Sequence, residues 1–92
     1  MGSEVVRRRV LVTGHVQGVF FRASVQEAAA NAGVAGTATN RDDGSVEVVL
    51  EGPTAAVESV IGYCRTGPVN AHVDHVEVRE EWPEGLEGFT TL

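Results

Sequence analysis

Ninety-two residues, 42% of them hydrophobic, predict one small domain over residues 1–92 with a single core. The net charge of −6, with arginines as the only strong bases, excludes a surface that accumulates positive charge against a nucleic-acid backbone. Apolar runs are a few residues each, against the roughly 20 a membrane span needs, and Met1-Gly2-Ser3-Glu4 has no signal-peptide core, so a cytoplasmic protein is expected, with 1–4 a flexible N-terminus.

Val5 to Thr13 reads as the first strand, with Val10 and Val12 on one face and Arg9, Leu11 and Thr13 on the other. Arg7-Arg8-Arg9 is a basic run, but an alternating strand divides its side chains between two faces and leaves no stripe for a polyanion. Next comes Gly14-His15-Val16-Gln17-Gly18-Val19-Phe20-Phe21-Arg22, a glycine-punctuated loop that enters a helix. Such a loop is built to hold an anion. Backbone N–H groups around Gly18 can converge on oxyanion oxygens, and the first helical turn adds unpaired N–H groups at the positive end of its dipole. Arg22 adds a guanidinium, which meets two phosphate oxygens in one plane.

The helix is predicted over Arg22 to Ala32, with Val25, Ala28, Ala29 and Ala32 at helical spacing and Gly33 as its C-terminal cap. Val34 to Arg41 and Ser45 to Glu51 flank Asp42-Asp43-Gly44, a tight-hairpin signal between antiparallel strands. Asn40 ends the first of these strands; it is either a turn former or a carboxamide that orients a water. A second amphipathic helix is predicted over Pro53 to Thr66, burying Val57, Val60, Ile61 and Cys64 and ended by Gly67-Pro68. Val73 to Glu80 alternates as a strand with one covered and one wet face, and the tail through Gly88-Phe89-Thr90-Thr91-Leu92 can add a short edge strand. The order βαββαβ describes an α+β ferredoxin-like fold, a four-stranded antiparallel sheet with two helices on one face.

Other side chains take structural readings. Cys64 is a small buried packer, His15 a solvent-facing loop residue, and of Phe20 and Phe21 at least one packs in the core. His72 and His75, three apart on a strand, point to opposite faces and hold no metal together. Glu47 and Glu51 are expected on the wet face of their strand, and Trp82, in the acidic segment Glu80 to Gly85, is expected to cover a core edge.

A loop, one arginine and one amide, with no metal cluster or placed nucleophile, suit an activated phosphoryl compound. Phosphate esters expel a poor alkoxide and need an acid, a metal or a covalent intermediate. An acyl phosphate expels a carboxylate that is stable without a proton, so a site need only neutralise phosphoryl charge and hold a water in line.

The sequence resembles the acylphosphatases. The family motif Gly-x-Val-Gln-Gly-Val-x-(Phe/Tyr)-Arg is met by Gly14, Val16, Gln17, Gly18, Val19, Phe21 and Arg22, and a second motif is met by Asn40, Gly44, Val46 and Gly52. The resemblance implies hydrolysis of the carboxyl–phosphate bond, with the phosphate bound by Arg22 and the loop backbone of His15, Val16, Gln17, Gly18, Val19, Phe20 and Phe21, and the water positioned by Asn40. It implies no cofactor and no metal, a small-molecule acyl phosphate as the partner, no nucleic acid or membrane, and a monomer. Two departures stand out: Thr37 and Thr39 where the family has an aromatic and a basic residue before Asn40, and Thr90-Thr91-Leu92 where it often ends in an aromatic or basic segment. The first predicts weaker catalysis or a phosphate-binding module of the same fold; the second leaves support of Arg22 from the C-terminal strand open.

Overall fold

Alternating valines decide which face of each strand is buried. Val6, Val10 and Val12 of β1 (Val5–His15) and Val46, Val48 and Leu50 of β3 (Val46–Pro53) point to one side of a sheet, where α1 (Phe21–Ala32) and α2 (Thr54–Cys64) cover them. This computed structural model describes residues 4–92; the expectation of a flexible terminus falls largely on 1–3, outside the described residues. The remaining strands are β2 (Ala35–Asn40), β4 (His72–Glu81) and β5 (Phe89–Thr91), and the sheet order is β4-β1-β3-β2-β5.

The expected antiparallel sheet of four strands is present as β4-β1-β3-β2, joined through pairs such as Val10↔Val48, Val10↔Val78 and Ala38↔Val48. The tail adds a fifth strand, β5, parallel to β2, so the sheet is mixed rather than purely antiparallel. Parallel pairing follows from the route. The chain leaves β4 at one edge, passes the end of the sheet through residues 82–88, and arrives at the opposite edge running with β2. Among the described residues no helix is long and apolar enough to cross a membrane.

The helices bury the residues their spacing marks. Val25 and Ala29 of α1 and Val57, Val60, Ile61 and Cys64 of α2 lie in one core with the strand valines, and burial pushes the Cys64 thiol up to about 12. Gly33 caps α1 at φ 72°, its N–H and that of Val34 donating to Ala30 and Ala29. At Gly67 (φ 70°) an added Cβ would lie 2.7 Å from the ring of Phe21, so this glycine makes the room in which Phe21 buries.

The open face of the sheet departs from a simple wet face. Arg7 and Arg9 project there and Arg8 to the other side, the division the strand period requires. Arg7 Nη1 donates to Glu51 at 2.7 Å and its Nε to Glu81 at 2.7 Å; Arg9 donates to Glu47 at 2.9 Å and Glu81 at 2.5 Å. Glu51, expected to be wet, is only 4% exposed. Residues 82–88 cross above it, and the N–H groups of Glu84, Gly85 and Leu86 donate to its carboxylate at 2.9, 3.0 and 3.1 Å. Trp82, expected to cover the core, is instead 90% exposed: backbone N–H groups, not the indole, make the cover.

Candidate functional site

The site forms where β1 ends. Strand pairing runs further than the sequence pattern indicates, through Gly14↔Val73 and His15↔His72, so these two residues belong to β1 and the loop begins at Val16. Gly14 is required by packing: its φ is 127°, and a Cβ would lie 2.1 Å from the carbonyl oxygen of His72. A register shift between Thr13 and Gly14 turns the strand end toward the loop.

Within the loop, Gly18 (φ 75°) and Phe20 (φ 63°) are left-handed. Left-handed residues in a turn bring successive N–H groups onto one concave side. Phe20 is also the N-cap of α1, and no side chain caps the helix and no acidic residue occupies its first turn. The positive helix end therefore faces the loop without a compensating carboxylate. Ser24 fixes this entry, its N–H and Oγ donating to the Phe20 carbonyl at 3.0 and 2.9 Å.

A pocket of about 290 Å³ opens at this junction. Val16, Gly18, Phe20, Phe21, Arg22 and Asn40 all line it, so the two motifs meet, although Arg22 and Asn40 lie on different elements. His15, Gln17 and Val19 do not line it. His15 is exposed at the end of β1 and Val19 is buried in the core. Gln17 bridges: its Nε2 donates to the carbonyls of Arg41 at 2.7 Å and Ser45 at 2.9 Å, tying the loop to the hairpin that follows Asn40. Phe20 and Phe21 divide as adjacent residues at a helix start can, Phe21 buried and Phe20 80% exposed.

Three lining residues were not identified from sequence: Ala23, Gln26 and Thr91. Gln26 lies one helical turn beyond Arg22, a spacing that could have flagged it. Its Nε2 donates to the carbonyl of Phe89 at 3.0 Å. Thr91 carries no signal, because only the parallel pairing of β5 with β2 brings the tail to the pocket. The same strand answers the question left open by the C-terminal departure. Arg22 Nη1 donates to the main-chain oxygen of Leu92, a contact independent of the side chain at that position. Thr37 and Thr39 alternate with Asn40 along β2 and project to the other face of the sheet, outside the pocket lining.

A family model described as acylphosphatase matches residues 8–91. An acylphosphatase of Gloeobacter violaceus is 53% identical over 90 residues, covering 98% of this chain and 97% of that protein. One of Haloquadratum walsbyi is 49% identical over 89 residues, covering 97% and 96% respectively. The crystal structure of acylphosphatase from Bacillus subtilis superposes with a TM-score of 0.92 at 38% identity, covering 95% of this chain and 98% of that one.

Proposed function

The chain belongs to the acylphosphatase family, and on that premise we propose that the pocket holds the phosphoryl group of an acyl phosphate for direct attack by water. The observation that carries this is the convergence of Arg22, Asn40, Gly18 and an uncapped helix end on one pocket. Arg22 and the loop N–H groups neutralise the phosphoryl oxygens, and the Leu92 main-chain oxygen holds the guanidinium through the hydrogen bond it accepts from Nη1. Asn40 accepts a hydrogen bond from the water and aims its lone pair at phosphorus, opposite the leaving oxygen. The new bond joins water oxygen to phosphorus. The phosphorus–acyl oxygen bond breaks with its electron pair on the leaving carboxylate, and the proton shed by the water passes to the phosphate product or to solvent. The carboxylate needs no proton, so the step calls for neither a general acid nor a metal.

A phosphate-binding module without turnover was the competing expectation, raised by Thr37 and Thr39. Both project to the face of β2 away from the pocket, which favours the hydrolase over the module. The enzyme is further taken as a cytoplasmic monomer that acts on a small molecule. Acetyl phosphate hydrolysis in excess chelator tests the chemistry: Arg22→Gln should lose activity about 10²-fold or more, while Asn40→Ala should lower kcat with inorganic phosphate still binding. Full activity in Arg22→Gln, or equal loss of turnover and phosphate binding in Asn40→Ala, contradicts the assigned roles.

A further inference from the structure

The face of β2 that turns toward the helices carries Gly36, Ala38 and Asn40, and parallel pairing sets Phe89 beside Gly36 and Thr91 beside Ala38. Phe89 meets the apolar demand of that face, half-buried against the core. Thr91, two residues on, brings a hydroxyl to the pocket wall instead. The polar side chains of the lining are thus Arg22, Gln26, Asn40 and Thr91. Arg22 and Gln26 each donate to β5, at the main-chain oxygens of Leu92 and Phe89, and neither bond uses the Thr91 hydroxyl between them. From the other side β2 holds the same strand: the Gly36 N–H donates to Gly88 at 2.9 Å, and the Leu92 N–H to Ala38 at 2.8 Å. Bonds on both edges fix where the Thr91 hydroxyl stands before a ligand arrives.

Its place relative to Asn40 follows from the register. Thr91 lies beside Ala38, and Asn40 is two residues further along β2 on the same face. That diagonal is about 8 Å between Cα atoms. Only the methyl group of Ala38 stands on this face at the intervening position. Two polar groups reaching inward from such a separation can share one water, with about 2.8 Å to each.

From this placement we infer that Thr91 is a second water-orienting residue, completing with Asn40 the site of the attacking water. A water bonded to Asn40 alone can turn about that bond. When Asn40 Oδ1 accepts one of its O–H groups and Thr91 Oγ1 the other, an oxygen lone pair is left facing phosphorus. The water oxygen bonds to phosphorus as the phosphorus–acyl oxygen bond breaks with its electron pair on the leaving carboxylate. The proton shed by the water passes to the phosphate product or to solvent, and Thr91 neither gains nor loses one. A neutral hydroxyl suits this position, because a carboxylate would compete with the phosphoryl group for Arg22.

This rests on the hydrolytic reading above, and the experiment separates the two. Acetyl phosphate hydrolysis and its inhibition by inorganic phosphate are measured for the parent protein, Thr91→Val, Thr91→Ser and Thr90→Val. Valine keeps the branched shape of threonine in the strand and removes only the hydroxyl. Thr91→Val should lower kcat about tenfold with phosphate inhibition unchanged, and Thr91→Ser should recover most of that loss. Thr90, on the opposite face of β5 beside Thr37, should tolerate valine at full kcat. The combination Asn40→Ala with Thr91→Val should lose less than the product of the two single losses, since both act on one water. A kcat for Thr91→Val within twofold of the parent, equal impairment of Thr91→Ser, phosphate inhibition weakened in step with kcat, or multiplicative losses in the double variant overturns the role of Thr91. A parent protein that does not hydrolyse acetyl phosphate overturns the hydrolase reading instead.

Discussion

Truncating Glu51 to alanine removes a carboxylate that is 4% exposed and accepts four hydrogen bonds, one from Arg7 and three from the N–H groups of residues 84–86. Loss of one partner from a buried ion pair costs about 3–5 kcal/mol, because the other charge stays buried. Arg7 keeps Glu81 at 2.7 Å, which places the cost at the lower end. The three N–H groups sit on a surface crossing and can reach water once released, so they add no full penalty for unsatisfied donors. The expected loss is about 3 kcal/mol, and in a domain this small each kcal/mol moves Tm by roughly 4–8 °C, so a fall of about 12–24 °C follows. Glu51→Gln retains an acceptor and should lose about 1–2 kcal/mol. The assay is equilibrium urea unfolding followed by circular dichroism, with limited proteolysis at residues 82–88 to register release of the crossing. The pair Arg7→Met with Glu51→Leu should be less destabilised than Glu51→Ala, since it leaves no lone buried charge. A loss below about 1 kcal/mol in Glu51→Ala, with the crossing still protected, refutes this account of how the C-terminal segment is held.

Acid should weaken the protein through the same cluster. Arg9 and then Arg7 hold Glu81 down at about 2 against an ordinary 4.5. Burial pushes Glu51 up, yet the Glu84 N–H, the Arg7 guanidinium and the N–H groups of Leu86 and Gly85 keep it below its ordinary value. Depressed carboxyls contribute stability that is complete above the unfolded pKa and is lost as pH falls through the folded one. The urea midpoint should therefore decline between about pH 4.5 and pH 2, and Glu81→Gln should flatten that decline; parallel curves for parent and variant would exclude Glu81 as the source. Gly36→Ala would place a Cβ 1.8 Å from the Val49 carbonyl oxygen, so the strands must separate; about 3 kcal/mol of lost stability is expected in urea unfolding, and a neutral result would be incompatible with that approach. Gln17→Ala removes both ties between the loop and the hairpin; about 1–2 kcal/mol of stability and about tenfold in kcat should go, and unchanged kcat would show that the hairpin is held without it.

Local pattern was enough for most of the fold and for bringing Arg22 and Asn40 into one candidate pocket, though not for its full lining. Valine alternation, the Gly33 cap, the Asp-Gly hairpin and the helical spacing around Val57 are each set within a few residues, and the core follows once two faces are apolar. Arg22 and Asn40 were legible for the same reason: each stands at the end of an element whose boundary is written locally. What only the tertiary structure decided depends on distant segments meeting. The parallel pairing of the fifth strand with β2, Thr91 in the pocket, the Leu92 oxygen on Arg22 and the burial of Glu51 all follow from the path of residues 82–88, which contains no hydrophobic period to read. Main-chain N–H and carbonyl groups make those contacts, and every sequence supplies them at every non-proline position, so composition cannot reveal which ones will be used.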